Sequence, residues 1–286
     1  MVPPWTPAPP AGEVAPAGPN APAAPPVPQP NSEPTSNTNQ TADPSVPSAP
    51  VEPRVRVPAP LAPAARFSGA RRALGDYARS GDSSELRRSL GHYVRTGYGG
   101  SGTSTRRFEG TARTAGALGG ALANVSAGQP AAPGSSLDPA LLSGRTATEV
   151  MDAVVEAVRP VDGTQDAEAE RAAIRDSLSD LLTRFPEADL LNLDSDQRAF
   201  AIERFTAIDV FRRFELDVGK TIVEKAPSAT AALARLKEAR DYIKESVGAA
   251  FRKLRNEGRT VASGRISEIV RDALKETFEV FEGYAE

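Results

Sequence analysis

Residues 71–97 read RRALGDYARSGDSSELRRSLGHYVRTG, and one eleven-residue pattern occurs in them twice. Residues 71–81 and 87–97 agree at seven positions, and the remaining four are small or polar exchanges. At about 100° per residue the first copy predicts a helix with Leu74, Tyr77 and Ala78 on one side and Phe67 one turn earlier. Arg71, Arg72, Gly75 and Arg79 gather into an arc of about 100° on the other side. The second copy repeats both faces, with Leu90, Tyr93 and Val94 opposite Arg87, Arg88, Gly91 and Arg95. A weaker third copy keeps Arg106, Arg107 and Gly110, and Arg113 returns to the same face.

A glycine inside a helix costs about 1 kcal/mol relative to alanine, so something must offset Gly75 and Gly91. One reading is that the missing side chain admits a partner backbone or a phosphate between guanidinium forks suited to bidentate contact. The other is tight helix–helix packing at glycine, with arginine stems lying over neighbouring apolar surface. The repeat shows that this face is used; it does not show what the face meets. The candidate partner- or polyanion-binding residues are therefore Arg71, Arg72, Gly75, Arg79, Arg87, Arg88, Gly91, Arg95, Arg106, Arg107, Gly110 and Arg113.

Working outward, the composition divides sharply. The first 63 residues hold 20 of the 26 prolines, with Trp5 their only aromatic. Such a segment buries too little apolar area to offset its ordering entropy and is expected to be a disordered, partly polyproline-II tail. Trp5, within Pro3-Pro4-Trp5-Thr6-Pro7, is its candidate docking residue, since a lone indole can insert into a partner groove. Residues 61–120 carry ten arginines against four acids, whereas the whole chain has a net charge of −3. A basic, lysine-free module thus sits between acidic parts, which suggests contact with an acidic surface or a polyanion.

Beyond the repeat the pattern stays helical. The first helix should end at Gly81, and the second should begin near Asp82, with Glu85 completing a capping box, and run to Gly97. A flexible joint follows at Tyr98, then a third helix from Ser104, whose Gly116 and Gly120 are suited to close packing. Further helices are expected over 146–159, 165–185, 195–225, 228–255 and 264–283, bounded by Pro160, Pro186 and Pro227. The segment 195–225 has Ile202, Phe205, Ile208, Phe211, Phe214 and Val218 all round its axis and should be the most buried. In 228–255 the stripe Leu233, Leu236, Ile243, Val247, Ala250, Leu254 is interrupted only by Arg240. No segment alternates with period two. The fold class is all-α: a disordered Pro-rich tail (1–63), an Arg/Gly-rich helical module (64–125), a linker (126–136) and an antiparallel helix bundle (137–286).

There is little here for catalysis. The absence of cysteine removes disulfides, thiolate nucleophiles and cysteine-bound zinc together. The single histidine, His92, takes the place of Asp76 in the other copy, as a solvated position would allow. Asp194-Ser195-Asp196 precedes the buried helix and reads as its N-terminal cap rather than a metal loop. No catalytic, metal or cofactor-binding residue is assigned and no cofactor is expected. With no secretory signal and no apolar run near 18 residues, a cytoplasmic protein without membrane association is the expectation.

The Pro-Pro-Trp at residues 3–5, the proline-rich leader, the Arg-rich helices of residues 66–125 and the acidic helical remainder together resemble the QatB family, a component of the Qat anti-phage defence system. That resemblance implies partners from the same defence operon: an ATPase, a QueC-like enzyme of deazapurine chemistry and a TatD-like nuclease. It implies no active site in this chain. It also suggests that the N-terminal amine, carried on a long leader, is a substrate or docking point for the QueC-like partner. Family leaders open Met-Gly and are rich in Gly and Ser before the Pro-Pro-Trp, whereas this chain opens Met1-Val2. The expected function is a non-enzymatic adaptor that docks partners through the Arg-rich helices, the bundle and the tail. The alternative is a nucleic-acid-binding module built on the same arginines.

Overall fold

The structure, a computed structural model, describes residues 65–261 and 265–285, which lie within one compact unit, Ala59–Glu286. The expectations for the proline-rich leader and for Trp5 fall outside the described residues. The described residues are helical and contain no strand. The repeat forms an antiparallel-type hairpin of α1 (Ser68–Ser80) and α2 (Ser83–His92), the latter continuing as a π-helical turn over Tyr93–Tyr98. Next come α3 (Ser101–Arg107), α4 (Glu109–Ser126), the short α5 (Pro139–Leu142), α6 (Ala147–Val158), α7 (Gln165–Arg184) and α8 (Ser195–Phe214). A second π turn, Glu215–Gly219, leads into α9 (Lys220–Lys225), then α10 (Ala229–Asn256), α11 (Ile266–Glu282) and a closing 3₁₀ turn, Gly283–Ala285.

The local chemistry explains most boundaries. Gly81 adopts φ +77°, a left-handed cap for α1, and its N–H bonds the Tyr77 carbonyl at 2.7 Å. Asp82 caps α2 by accepting from the Ser84 N–H. Glu85 does not complete the expected capping box: the Asp82 N–H bonds Ser80 Oγ instead, and Glu85 turns to Arg88 at 2.6 Å. Asp194 caps α8 in a full capping box with Gln197, as its position before the helix suggested. The expected third helix is two helices, α3 beginning at Ser101 and α4 at Glu109. Between them Phe108 leaves helical geometry and is fully buried.

The stripes of both repeat copies are core. Leu74, Tyr77, Ala78, Leu90, Tyr93 and Val94 are buried in the same hydrophobic cluster as Phe205, Phe214, Ile243 and Phe278 from the later helices. Aromatic contacts run through that cluster: Phe67 stacks on Tyr93 at 5.3 Å, Tyr93 meets Phe214 at 5.1 Å, and Phe108 meets Phe278 at 4.9 Å. In segment 195–225 Ile202, Phe205, Ile208, Phe211, Phe214 and Val218 are buried as expected, whereas Leu216 and Val223 are exposed. Leu233, expected on the core stripe of α10, is instead 69 % exposed, on the wall of a groove beside α8, while its neighbour Ala232 is buried. In α4, Gly116 and Gly119 meet Ser267 and Ile266 at the start of α11, whereas Gly120 faces open space.

Both repeat glycines are covered by the chain itself. Gly75 lies under Thr221 and Lys225 of α9, and a methyl group there would stand 3.6 Å from their side chains, an ordinary contact. Gly91 lies under the C-terminal turn, where a methyl group would stand 2.5 Å from the Ala285 nitrogen and 2.7 Å from the Tyr284 carbonyl carbon. The two copies therefore differ in tolerance. Gly75→Ala is expected to be neutral or stabilising by up to about 1 kcal/mol. Gly91→Ala should cost about 1–3 kcal/mol, because backbone rather than a flexible side chain must give way. Urea unfolding midpoints of the two variants check this, and equal midpoints would remove the asymmetry.

Candidate partner-binding surface

The arginines of the repeat have separate surroundings. On α1, Arg72, Asp76 and Arg79 share one face by their spacing of four and three. Asp76 brackets two guanidinium groups there: Arg79 Nη2 donates to it at 2.6 Å, and Arg88 of the other copy pairs with it at 3.5 Å. These side chains stay 56 % and 46 % exposed, so each keeps donors for an outside acceptor. Arg72 is exposed and makes no hydrogen bond or ion pair within the described residues. Arg71 donates to the Asp217 carbonyl at 2.9 Å, Arg87 lies over the Tyr242 ring at 5.8 Å, and Arg95 acts electrostatically on Glu282. Arg106 donates to Thr103 Oγ1, and Arg113 borders a groove with Gly116 and Gly120.

Arg107 joins a different group. It lines a polar cleft of about 290 Å³ with Arg66, Tyr98, Arg213, Asp166 and Asp217. Asp217, in the second π turn, accepts from the hydroxyls of Tyr93 and Tyr98 at 3.0 and 2.8 Å, and those residues bound the first π turn. Burial first, and then the neighbouring carboxylate, pushes the Tyr98 phenol up to about 12. Both tyrosines thus remain protonated donors. The repeat's tyrosine was legible as a core position; its hydroxyl contact with Asp217 was not.

Behind this cleft lies a buried charge cluster that sequence reasoning missed. Asp209 is fully buried and accepts from Thr111 at 2.6 Å, while Arg213 Nε approaches it at 3.5 Å. Arg213 also pairs with Glu170 at 3.2 Å. Glu170 in turn pairs with Arg159 Nε at 2.8 Å and accepts from Thr114. Gly110 sits directly over the Arg213–Glu170 pair, so its place in the third copy serves this cluster. The signal was available as an Asp–Arg pair at i and i+4, its aspartate lying between Ile208 and Val210 on a helix expected to be buried. His92 is half-buried, with its ring against Gly69. Among the described residues no group of three or more His, Cys, Asp or Glu could hold a metal ion, and no helix is long and apolar enough to cross a membrane.

The family model described as "Qat anti-phage system associated protein QatB" matches residues 99–281, well over half of the chain. The chain belongs to the QatB family. Membership makes it a component of an anti-phage system, with other proteins of that system as its partners. The match begins after the first two repeat copies, at Gly99, and includes Arg107, Asp209, Arg213 and Asp217. No curated protein and no solved structure matches the chain.

Burial, opposed in part by Arg213 and the Thr111 hydrogen bond, pushes the Asp209 carboxyl up from 3.8 to about 6. A raised acid pKa favours the protonated form in the fold, so this contribution is complete below about pH 4 and is lost as pH rises through about 6. Asp209→Asn keeps an acceptor for Thr111 and cannot ionise. Its stability relative to the unaltered chain should therefore rise between pH 4 and pH 7, by on the order of 1–3 kcal/mol. Paired thermal melts across that range measure it, and a constant difference would show that the carboxyl titrates as in the unfolded chain.

Proposed function

We propose that this chain is a non-enzymatic adaptor of its anti-phage system, docking other proteins of that system through the arginine-rich hairpin and the helical bundle, with the leader reaching a further partner. The observation that carries this reading is the Asp76 bracket. It holds one arginine from each repeat copy side by side on an exposed face, next to Arg72, which has no partner among the described residues. Guanidinium groups positioned in this way lose less side-chain freedom on binding and suit carboxylates of a partner surface. The repeat glycines, by contrast, are taken up by the chain's own packing and leave the exposed arginines as the part of the hairpin free to meet a partner. The partners implied by the resemblance are an ATPase, a QueC-like enzyme and a TatD-like nuclease.

Replacing Arg72, Arg79 and Arg88 together by Glu should leave circular dichroism unchanged, since all three are exposed. It should remove at least one partner from the co-purified assembly of the system's proteins. Full retention of every partner would overturn the role of this face. Salt separates the nucleic-acid alternative. Binding to phosphates should weaken with a logarithmic slope of about 0.9 per neutralised phosphate, whereas partner retention through an interface with an apolar centre should change little.

A further inference from the structure

Arg240 interrupts the apolar stripe of α10, and its surroundings set it apart from the other arginines. Among the described residues six arginines have a buried Nε that makes no aligned hydrogen bond: Arg159, Arg204, Arg212, Arg213, Arg235 and Arg240. The first five anchor to a carboxylate, as Arg212 does to Asp176 at 2.7 Å and Arg235 to Glu238 at 3.0 Å. Arg240 makes no ion pair, hydrogen bond or ring contact with any described residue. A buried donor without an acceptor is costly, because it has given up its water and gained nothing in return. Such a group in a native structure calls for an explanation.

Its setting supplies one. Arg240 lines a groove of about 530 Å³ between α8 and α10, whose apolar walls are Ile208, Phe211, Leu233 and Leu236. Arg212 and Lys237 on the same walls are already neutralised by Asp176 and Asp241, and Glu215, which also lines the groove, does not reach Arg240. Leu216, half exposed, extends the apolar surface into an adjoining hollow that shares Arg212 and Glu215. What is unsatisfied in this groove is therefore the buried Nε of one half-buried guanidinium, whose terminal nitrogens remain open to an outside acceptor, together with the uncovered side chains of Leu233 and Leu236. Nucleic acid fits poorly, because its backbone asks for many cations and its bases for aromatic platforms.

We infer that this groove takes an amphipathic helical segment of another protein of the system, whose aliphatic side chains cover Leu233 and Leu236 while a carboxylate of the same segment pairs with Arg240. The spacing is specific. Leu233 and Arg240 are seven residues apart on one helix, about 10 Å, so the segment must carry its acid about two turns from its aliphatic anchor. The inference rests on the adaptor reading and adds a second docking surface, on the bundle, to the one on the repeat hairpin.

The test uses the full chain co-expressed with the other proteins of its anti-phage system, with a benzophenone amino acid at Leu233. Irradiation should give one crosslink to one of those proteins, mapping to a segment with Asp or Glu seven residues from an aliphatic position. Arg240→Glu should reduce the crosslink yield by more than about tenfold, as loss of a desolvated charge pair does. Arg240→Lys should keep part of it, and Leu233→Ser, at an exposed position, should weaken co-purification of that same protein. Should Arg240→Glu unfold the chain by circular dichroism, Lys and Ser variants with unchanged binding would overturn the inference. A crosslink only to a second copy of this chain, or one indifferent to Arg240, would do so as well. If partners co-purify and nothing crosslinks at position 233, the groove fails and the adaptor reading stands. If no protein of the system co-purifies with the unaltered chain, both fail.

Discussion

Arg213 is the group on which the arrangement of the helices depends. Its guanidinium meets Glu170 of α7 and Asp209 of its own helix and stacks over Phe108 at the α3–α4 junction, 5.2 Å from the ring centre. Thr111 and Thr114 of α4 complete the two carboxylates from the other side. A buried charge stripped of one partner costs about 3–5 kcal/mol, so α4, α7 and α8 must dock in one register or leave several charges uncompensated. Apolar packing alone tolerates small slips. This cluster does not, and it lies directly behind the cleft that Arg66 and Arg107 line.

The two π turns belong to the same logic. Each gives a local widening in an otherwise α-helical run, and they meet where Tyr93 and Tyr98 of one donate to Asp217 of the other. Asp217 also pairs at long range with Arg66, and its backbone carbonyl accepts from Arg71. The repeat hairpin is thus tied to the bundle by polar contacts as well as by the aromatic run from Phe67 to Phe214.

Much of this was legible because helical periodicity reports burial directly. Leu74, Tyr77, Leu90 and Tyr93 are core in both copies, and α6 to α11 lie close to where apolar spacing and proline stops put them. What was not legible depends on which surface meets which. Gly75 and Gly91 are equivalent in sequence, yet one meets flexible side chains and the other meets backbone. Leu233 and Leu254 continue a single stripe, and only the positions of α8 and α11 decide that one is exposed and the other buried. Gly119, rather than Gly120, joins Gly116 in close packing because α11 crosses α4 at Ser267 and Ile266. Arg240 was visible as an interruption, but that no acceptor among the described residues reaches it is a three-dimensional fact.

The cover over Gly91 has a consequence for synthesis. The hairpin of residues 68–98 leaves the ribosome early, but α1 takes its second neighbour from residues 220–225 and α2 from residues 283–285. Synthesis must therefore pass residues 214–217 before Tyr93 meets Phe214 and Asp217, and must reach residues 283–285 before Gly91 is covered. A unit that folds in this way leaves its arginine-rich helices unclosed until those later residues have been made. Correct assembly with a partner on that hairpin consequently follows synthesis of the residues that cover it, 220–225 and 283–285, rather than preceding it.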